Sequence, residues 1–274
     1  MEIKGPFSYS GNKYKIYKAH LKPIFDEFDQ VIEPFAGSAP ILYNARGGGI
    51  GSDTNKAVVF MHNSLKIDKI DKKMEEIYHF YFKNGLNKDS YMELRSFFNE
   101  KWKIFGFFDE IAPHFLLLCQ LSFNSLVRFS KNGYNVPFGM KKPDFNRVLA
   151  HSNISKSRNI TIIESEYDKL DISLCKNAII YLDPPYIASK YQYNGWNVED
   201  EVKLLEYIDN LDKIGRKFVL SNTLYHRGTK NEHLNDWISK YNVKYIDKNY
   251  NAWSAAVKSV KNDYKTCEII VNNL

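Results

Sequence analysis

The 274-residue sequence predicts an α/β protein whose sheet-forming core is interrupted by a helical, basic insertion. Two observations predict this class. Short runs of β-branched and aliphatic residues alternate with helical patterns near both ends of the chain, whereas residues 57–126 show mostly helical periodicity. We therefore predict a discontinuous core of residues 1–60 and 158–274, and a mostly helical insertion of residues 61–157. The hydrophobic content of 44% and the mean hydropathy of -0.44 are typical of a water-soluble protein with a sizeable core.

The first part of the chain predicts a helix, a strand and a tight turn in succession. Apolar residues at helical spacing indicate a helix from about Tyr14 to Phe28. Val31-Ile32-Glu33 predicts a strand that runs into a turn of small residues, and a further helix is expected to begin near Pro40. Small residues at a strand–helix turn let a ligand approach the backbone, as in dinucleotide-binding folds. The GxGxxG fingerprint itself is absent, so no NAD site is predicted.

A second strand is predicted after the glycine-rich loop Gly47–Gly49, and it ends at Asp53. This acid follows the small-residue turn by roughly 15–20 residues, where an acid in such folds hydrogen-bonds the hydroxyl groups of a ribose. The sequence Asp-Thr-Asn is also typical of the cap of a following helix. Both roles of Asp53 stay open at this point.

Further helices and strands follow from the same patterns. The dense apolar faces between Ala57 and Leu126 predict core-forming helices. The Asn132-Gly133 pair predicts a β-hairpin. The predicted helices are Ala57–Leu65, Lys72–Phe82, Ser90–Glu100, Phe108–Leu121, Val198–Ile214 and Glu232–Lys240, and the later strands are Ile160–Glu164, Ala178–Leu182, Lys217–Asn222, Val243–Ile246 and Cys267–Val271.

Positive charge is concentrated between Arg128 and Arg158. This segment contains seven basic residues and one acidic residue, so its formal charge of +6 equals that of the whole chain. Such a local basic segment suits a polyanion such as DNA or RNA, although a merely solvated loop is the simpler alternative. Arg128 stands beside the predicted hairpin, where an arginine is suited to read guanine or to contact phosphate.

Cysteine usage and the chain start indicate the compartment. Cys119, Cys175 and Cys267 are far apart and form no CxxC pair, so we expect reduced thiols in a cytoplasmic protein and no zinc site. The first residues contain no apolar segment typical of a signal peptide, and no apolar run is long enough for a membrane span. The seven histidines are scattered, and we assign them no role.

The most chemically informative stretch is Asp183-Pro184-Pro185-Tyr186, which follows the predicted strand Ala178–Leu182. Proline has no backbone N–H, so two successive prolines end the strand and direct the Asp183 carboxylate away from it. In open α/β sheets, ligands bind outside the carboxyl ends of the strands. A carboxylate, a proline carbonyl and an aromatic ring at that edge suit a planar base with an amino group. The simpler alternative is a strand that ends in a turn with a capping Asp.

The ordered motifs resemble those of the DNA adenine N6-methyltransferases of the Dam type, the D12 class. The resemblance extends from about Tyr9 to the C-terminus. The motifs are, in order, Tyr-x-Gly-Asn-Lys at residues 9–13, Glu-Pro-Phe-Ala-Gly-Ser at 33–38, Phe-Asn-x-x-x-Arg at 123–128, Asn-Val-Pro-Phe-Gly at 135–139 and Asp-Pro-Pro-Tyr at 183–186. Ala39 stands where the turn of this family often has a glycine, and Ser130 stands where an asparagine is common.

This resemblance implies a Rossmann-like S-adenosylmethionine-dependent methyltransferase core with a mixed, mainly parallel sheet, and a helical target-recognition insertion. It also implies roles for particular residues. The implied cofactor-binding residues are Tyr9, Lys13, Phe35, Gly37, Asp53 and Asp183; the implied catalytic residues are Asp183, Pro184, Pro185 and Tyr186; the implied DNA-binding residues are Asn124, Arg128, Lys131 and Pro137.

The implied reaction is methyl transfer from S-adenosyl-L-methionine to adenine N6 in double-stranded DNA, which yields S-adenosyl-L-homocysteine. The resemblance implies base flipping, a GATC target, no metal, no membrane partner and a monomer in solution. Three alternatives stay open: the same chemistry at another short DNA site, an RNA adenine methyltransferase, and a DNA-binding relative without catalytic activity. Asp183 as the first residue of the motif argues against the RNA alternative, and the intact motif argues against a relative without catalytic activity.

Overall fold

The computed structural model describes residues 2–7, 9, 12–175, 177–187, 195–226, 229–249 and 265–274. The chain forms two compact units, Met1–Asn177 and Ala178–Leu274. The elements of the first unit are α1 Tyr14–Ile16, α2 Lys22–Phe25, β1 Val31–Glu33, β2 Gly49–Asp53, α3 Lys56–Ser64, α4 Ile70–Tyr81, α5 Lys88–Phe105, α6 Ala112–Leu121, β3 Phe129–Ser130, β4 Gly133–Tyr134, α7 Phe145–Ser157 and β5 Thr161–Glu164.

The sheet strands of the first unit are parallel, in the order β5-β2-β1. Val31 of β1 is in register with Gly49 of β2, and Ile50 of β2 with Thr161 of β5. Because parallel strands end at the same edge, the turn after β1 and Asp53 at the end of β2 are neighbours. These parallel strands, flanked by helices in the chain, confirm the predicted α/β class.

The helices of this unit enclose an apolar and aromatic core. Helix α6 is buried along nearly its whole length, as expected for a helix that is apolar on all sides. Its Phe115 stacks on Phe98 of α5 with ring centroids 5.1 Å apart, and Phe129 of β3 lies 5.7 Å from Phe115. Tyr134 of β4 lies 5.6 Å from Phe129. The β3–β4 hairpin therefore packs on the helical core through aromatic rings.

Two predicted helices near the N-terminus differ from the structure. The first helical stretch ends at Phe25, and its middle turn is a π-helix, Tyr17–Leu21. There the Lys22 N–H bonds the Tyr17 carbonyl, and the following Pro23 has no N–H to donate. The helix predicted near Pro40 is only the short 3₁₀ turn Leu42–Asn44, because β2 begins five residues later. Ser10 and Gly11, which precede this helical stretch in the sequence, lie outside the described residues.

Helix α7 was not among the predicted elements. Asp144 caps its N-terminus by accepting a hydrogen bond from the Arg147 N–H at 2.9 Å. The hairpin predicted from Asn132-Gly133 is confirmed, with Ser130 paired to Gly133. Gly133 has a φ of +102°, a value that favours glycine. Gly133 follows the turn, so the glycine is needed at the first residue of β4 and not within the turn itself.

The second unit carries the remaining strands. β6 Ile179–Leu182 is parallel to β7 Phe218–His226, whereas β10 Lys265–Asn272 is antiparallel both to β7 and to β9 Asn242–Asn249. The short strand β8 Thr229–Lys230 pairs with β7. With the parallel strands of the first unit, these pairings confirm the predicted mixed sheet. The helices of this unit are α8 Val198–Lys213 and α9 Glu232–Trp237.

A buried carboxylate organises the start of helix α8. Glu201 is inaccessible to solvent, and its Oε1 accepts hydrogen bonds from Asn222 Nδ2 at 2.9 Å and Asn231 Nδ2 at 2.7 Å. Its Oε2 accepts from Trp196 Nε1 at 3.1 Å. Burial raises the pKa of Glu201, and these three hydrogen bonds oppose that shift. Glu201 thus joins α8 to β7 and to the residue that precedes α9.

The described residues contain neither a membrane-spanning helix nor a cluster of metal ligands. No helix among them is long and apolar enough to cross a membrane. No group of His, Cys, Asp and Glu side chains in this part of the chain is arranged to hold a metal ion. The three cysteines are free thiols, and Cys119 and Cys175 are buried.

Candidate active site and nucleic-acid interface

Three of the predicted cofactor-binding residues meet at the turn that follows β1. The Gly37 N–H donates a hydrogen bond to Asp53 Oδ2 at 2.9 Å. Gly37 has a φ of +47°, and a Cβ at this position would lie 3.0 Å from Cδ1 of the Tyr9 ring. Glycine therefore serves two purposes here: it adopts the left-handed conformation without strain, and it leaves room for the Tyr9 ring.

The peptide of Gly37 is held from its other side by a residue that sequence analysis missed. His62 of α3 places Nε2 2.8 Å from the Gly37 carbonyl oxygen, and its Nδ1 lies 3.2 Å from the Tyr43 hydroxyl. Burial lowers the pKa of His62 to about 4, so the ring is neutral near pH 7. Because a carbonyl oxygen only accepts, Nε2 carries the hydrogen, and Nδ1 accepts from Tyr43. The available signal was a histidine on the apolar face of a predicted helix.

The structure rules out one of the two roles left open for Asp53. The cap of α3 is Asn55, whose Oδ1 accepts from the Ala57 N–H at 3.0 Å. Asp53 instead accepts from Gly37 through Oδ2 and from the Asn55 N–H through Oδ1 at 2.8 Å. The capping interpretation of Asp53 is wrong. Burial raises the pKa of Asp53, and the two backbone hydrogen bonds oppose that shift.

Lys13 and Phe35 lie in the segments on either side of this turn. The Lys13 side chain is buried, and its carbonyl accepts from the Tyr17 N–H at 2.7 Å. The neighbouring Asn12 donates through Nδ2 to Ser38 Oγ at 2.7 Å, which joins the N-terminal motif to the turn. Phe35 is half-buried and stacks on Tyr167 with ring centroids 5.1 Å apart.

Ala39 occupies the position where the family turn often has glycine, and the structure explains that preference. Its φ of +46° lies in the left-handed region, and the residue is fully buried. An alanine in this conformation carries a steric cost of roughly 1–2 kcal/mol that glycine avoids. The turn from Gly37 to Ala39 therefore contains one strained position.

The predicted catalytic motif follows β6 directly in the second unit. Asp183 is half-buried and Pro184 is buried. The Tyr186 hydroxyl donates a hydrogen bond to Asp183 Oδ1 at 2.9 Å. The Tyr186 ring retains some exposed surface, but its hydroxyl is deeply buried; this burial and the carboxylates of Asp183 and Glu268 raise the pKa of Tyr186 well above its usual value. The phenol therefore stays protonated, and it holds one carboxylate oxygen of Asp183 in place.

The predicted DNA-binding residues lie on and around the β3–β4 hairpin. Arg128 is exposed and donates through Nε to Asn135 Oδ1 at 2.7 Å. Lys131 lies at the exposed turn, and Pro137 is exposed while its carbonyl accepts from the Phe123 N–H at 2.8 Å. Asn124 is exposed and has a φ of +53°. These four residues therefore lie within one short segment of the first unit, residues 124–137.

The basic segment is less exposed than its sequence suggested. Arg147 donates to the Gly5 carbonyl, and Arg158 donates through Nη1 to the carbonyls of Tyr43 and Ala45 at 2.9 Å each. These two guanidinium groups satisfy backbone oxygens of the first unit, so they are structural cations. The exposed lysines of the segment are Lys131, Lys141, Lys142 and Lys156.

Comparison with known proteins identifies the family. The sequence matches the D12 class N6 adenine-specific DNA methyltransferase family over residues 9–252. The chain belongs to this family. The family inferred from the ordered motifs is therefore confirmed, and with it the Rossmann-like methyltransferase fold class.

Curated relatives carry names consistent with this family. The Type II methyltransferase M.FokI of Planomicrobium okeanokoites is 30% identical over 90% of this chain and 40% of its own length. The Modification methylase StsI of Streptococcus sanguinis is 28% identical over 94% of this chain and 41% of its own length. A DNA adenine methylase of Vibrio cholerae is 26% identical over 75% of this chain and 76% of its own length. The chain thus spans about two fifths of the length of M.FokI and StsI.

A solved structure of an rRNA methyltransferase from Streptomyces viridochromogenes matches 97% of this chain and 86% of that one. The TM-score of 0.41 and the identity of 10% are too low to support an argument about function.

Proposed function

We propose that this chain transfers the methyl group of S-adenosyl-L-methionine to N6 of adenine in double-stranded DNA. Family membership supports the reaction class. The observation that carries the proposal is the Asp183-Pro184-Pro185-Tyr186 motif, in which the Tyr186 hydroxyl bonds Asp183 Oδ1 at 2.9 Å. A carboxylate held at the end of a strand in this way is the kind of acceptor that a substrate amino group needs.

The residues around Gly37 fit the proposed cofactor. Only a residue without Cβ leaves room for Tyr9 there, and the Asp53 carboxylate is fixed by two backbone N–H groups. Each oxygen of Asp53 keeps a second lone pair, which suits the hydroxyls of a ribose. When bound, S-adenosyl-L-methionine supplies a methyl group on a sulfonium and leaves as S-adenosyl-L-homocysteine, so the reaction needs no covalent nucleophile. We assign its binding to Tyr9, Lys13, Phe35, Gly37, Asp53 and Asp183.

The catalytic residues act on the adenine amino group in this proposal. The lone pair of adenine N6 is delocalised into the ring, which makes this nitrogen a poor nucleophile. Hydrogen bonds from the two N6 hydrogens to the Asp183 carboxylate and the Pro184 carbonyl favour a more pyramidal nitrogen with a localised lone pair. Once the methyl carbon bonds N6, the nitrogen releases one of these two protons to solvent. Pro185 restricts the backbone of the motif, and the exposed part of the Tyr186 ring offers a surface on which a flipped base stacks.

Target recognition is assigned to the residues around the hairpin. We propose that Arg128 contacts a base edge, that Asn124 and Pro137 lie against the bases, and that Lys131 contacts the backbone phosphate. We propose GATC as the target and 61–157 as the recognition domain, between core segments 1–60 and 158–274. The names of the relatives M.FokI and StsI suggest a role as the methylase of a restriction–modification system.

The experiment that tests the reaction uses labelled S-adenosyl-L-methionine and two unmethylated duplexes that differ only in one GATC site. Label on adenine N6 of the GATC duplex alone supports both the reaction and the target. Label on both duplexes supports the enzyme and rejects GATC in favour of another short site. Label on neither duplex, with RNA labelled instead, replaces the proposal with an RNA adenine methyltransferase.

A substitution separates catalysis from folding. Asp183→Ala removes the carboxylate and should abolish methyl transfer, while the circular dichroism spectrum and the urea unfolding midpoint stay close to those of the wild type. The matched control is Asp168→Ala, because Asp168 is exposed and lies outside the motif. Undiminished activity in Asp183→Ala would refute the assigned role of this residue. Failure of the wild type to bind S-adenosyl-L-methionine by calorimetry would favour a DNA-binding relative without catalytic activity.

The proposed partner is one DNA duplex bound by a single copy of the chain. Light scattering after size exclusion should give a mass close to 32.0 kDa. A mass of twice that value would reject the proposed monomer.

A further inference from the structure

One face of helix α5 holds the strand that follows the hairpin turn. Tyr91, Arg95 and Asn99 are spaced four residues apart, so their side chains lie on the same face of the helix. The Tyr91 hydroxyl donates to the Val136 carbonyl at 2.7 Å, and Arg95 Nη1 donates to the same oxygen at 3.1 Å. Two donors on one carbonyl oxygen fix the backbone at Val136.

Asn99 fixes the backbone two residues earlier. Its Oδ1 accepts from the Tyr134 N–H at 2.7 Å, and its Nδ2 donates to the Tyr134 carbonyl at 3.0 Å. The side-chain amide therefore makes the pair of hydrogen bonds that a neighbouring β-strand would make. This close approach depends on Gly133, because a Cβ there would lie 2.4 Å from Asn99 Oδ1. The residues 134 and 136 are thus both bonded to α5.

Asn135 lies between these two fixed residues, and it contacts Arg128 instead. Arg128 Nε donates to Asn135 Oδ1 at 2.7 Å, and Arg128 Nη2 donates to the Asn135 carbonyl at 3.0 Å. The Asn135 N–H in turn donates to the Arg128 carbonyl at 3.2 Å. The Nε side of the guanidinium is therefore bound to a backbone segment that α5 holds in place.

We infer that Asn135 is a positioning residue that orients the Arg128 guanidinium toward a guanine, and that Tyr91, Arg95 and Asn99 hold Asn135 in position. This inference rests on the proposed function. Two of the five guanidinium N–H groups bond Asn135, which leaves both hydrogens of Nη1 and one of Nη2. That end of the guanidinium matches the two acceptors of guanine, O6 and N7.

Fixing the side chain before binding has a physical advantage. A free arginine on an exposed loop samples many rotamers and loses this freedom when it binds. Hydrogen bonds from Nε and Nη2 to Asn135 restrict these rotamers in the unbound protein, so less entropy is lost on contact with the base. Loss of Asn135 should therefore weaken discrimination at the base that Arg128 contacts, with no effect on cofactor binding.

A double-mutant cycle tests the inference. The quantity measured is a rate ratio: kcat/KM on the preferred duplex divided by kcat/KM on a duplex in which one guanine of the site is replaced. It is measured for the wild type, Asn135→Ala, Arg128→Ala and the double variant. Asn135→Ala should lower the ratio about tenfold at the guanine that Arg128 contacts. The affinity for S-adenosyl-L-methionine, measured by calorimetry without DNA, should stay within about twofold of wild type. In the Arg128→Ala background, Asn135→Ala should have no further effect on the ratio.

Three further variants separate the inference from a simple folding defect. Asn135→Asp keeps the side-chain acceptor for Arg128, so it should retain the wild-type ratio even where its added negative charge raises KM for all duplexes. Asn146→Ala is the matched control, because Asn146 is exposed on α7. Asn99→Ala should lower the ratio at the same guanine as Asn135→Ala.

The outcomes separate this inference from the proposed function. A wild type that transfers no methyl group to any duplex refutes the proposed function. If the wild type methylates DNA, two results would overturn the inference alone. One is a wild-type rate ratio in Asn135→Ala. The other is a fall in the rate ratio on adding Asn135→Ala to Arg128→Ala that equals the fall in the wild-type background. An Asn135→Asp variant that loses discrimination as Asn135→Ala does would also overturn it.

Discussion

The buried His62 should contribute strongly to the loss of folding stability at acid pH. A conservative variant without this histidine should lose less stability than the wild type when the pH falls. The ring is 2% exposed, and it bonds the Gly37 carbonyl and the Tyr43 hydroxyl in its neutral form. The perturbation is His62→Gln, which keeps an amide N–H close to the position of Nε2 but does not titrate. The variant therefore removes the proton-binding site and preserves the donor to Gly37.

The magnitude follows from the shift in the pKa of His62, from 6.5 in the unfolded chain to about 4 in the folded protein. Between these values the unfolded state binds a proton that the folded state does not bind. Stability from this residue is therefore fully present above pH 6.5 and is lost as the pH falls toward 4. At about 1.4 kcal/mol per pKa unit, the loss between pH 7 and pH 4 is about 3 kcal/mol.

The assay is urea unfolding, followed by circular dichroism, at pH 7 and pH 4. Other groups that titrate in this range, including the half-buried His114 and the buried His151, are present in both proteins and largely cancel in the comparison. The difference in acid destabilisation between wild type and His62→Gln should therefore be about 3 kcal/mol, with the variant less affected. His233→Gln serves as the control, because it also replaces a histidine by glutamine but leaves both bonds of His62 in place.

A second variant links this residue to the cofactor turn. His62→Leu leaves the Gly37 carbonyl and the Tyr43 hydroxyl without this partner, and each buried polar group that loses its hydrogen bond costs roughly 1–3 kcal/mol. Affinity for S-adenosyl-L-methionine at pH 7 should fall about tenfold in His62→Leu and much less in His62→Gln, where the bond to Gly37 remains. Equal acid destabilisation of wild type and His62→Gln would refute the assigned protonation state, and equal cofactor affinity in both variants would refute the positioning argument.

Three further predictions concern other residues of the two units. Tyr186→Phe removes the donor to Asp183 and should lower the rate of methyl transfer about tenfold in a protein that still unfolds cooperatively in urea; an unchanged rate would contradict the role of this hydroxyl. Ala39→Gly removes the steric cost of an alanine in the left-handed region. It also loses the burial of one methyl group, which contributes about 0.8 kcal/mol, and it gives the unfolded chain more conformational entropy. Because these effects oppose one another, the free energy of unfolding should change by less than about 1 kcal/mol. Gly37→Ala should instead destabilise by about 1 kcal/mol or more, and calorimetry should show weaker cofactor binding; a larger loss from Ala39→Gly than from Gly37→Ala would contradict this assignment of strain. Burial raises the pKa of the Cys119 thiol well above its ordinary value, so in the folded protein it should react with a disulfide reagent at pH 8 only after urea is added; rapid reaction without urea would contradict this burial.

Local patterns were sufficient for the elements that carry the motifs. The strands that end at Glu33, Asp53 and Leu182 were predicted because each apolar run stops at glycine, proline or an acid. The small-residue turn and the hairpin were predicted because glycine is favoured where φ is positive. Helix α7 was missed because its apolar periodicity is weak, and the helix near Pro40 was overpredicted because the start of β2 is too close.

The connections between motifs depend on contacts that are distant in the sequence. His62 bonds a carbonyl 25 residues away, Asn99 bonds a strand 35 residues away, and Arg147 bonds the carbonyl of Gly5, 142 residues away. No local pattern separates a histidine that supports the turn after β1 from one that only fills a core, or an exposed arginine from one that satisfies a backbone carbonyl. The residue types and their order along the chain were enough to identify the family and its motifs, because both are read locally. The role of each polar side chain depended on the partner that folding brings to it, because the energy of a hydrogen bond is set by distance and burial.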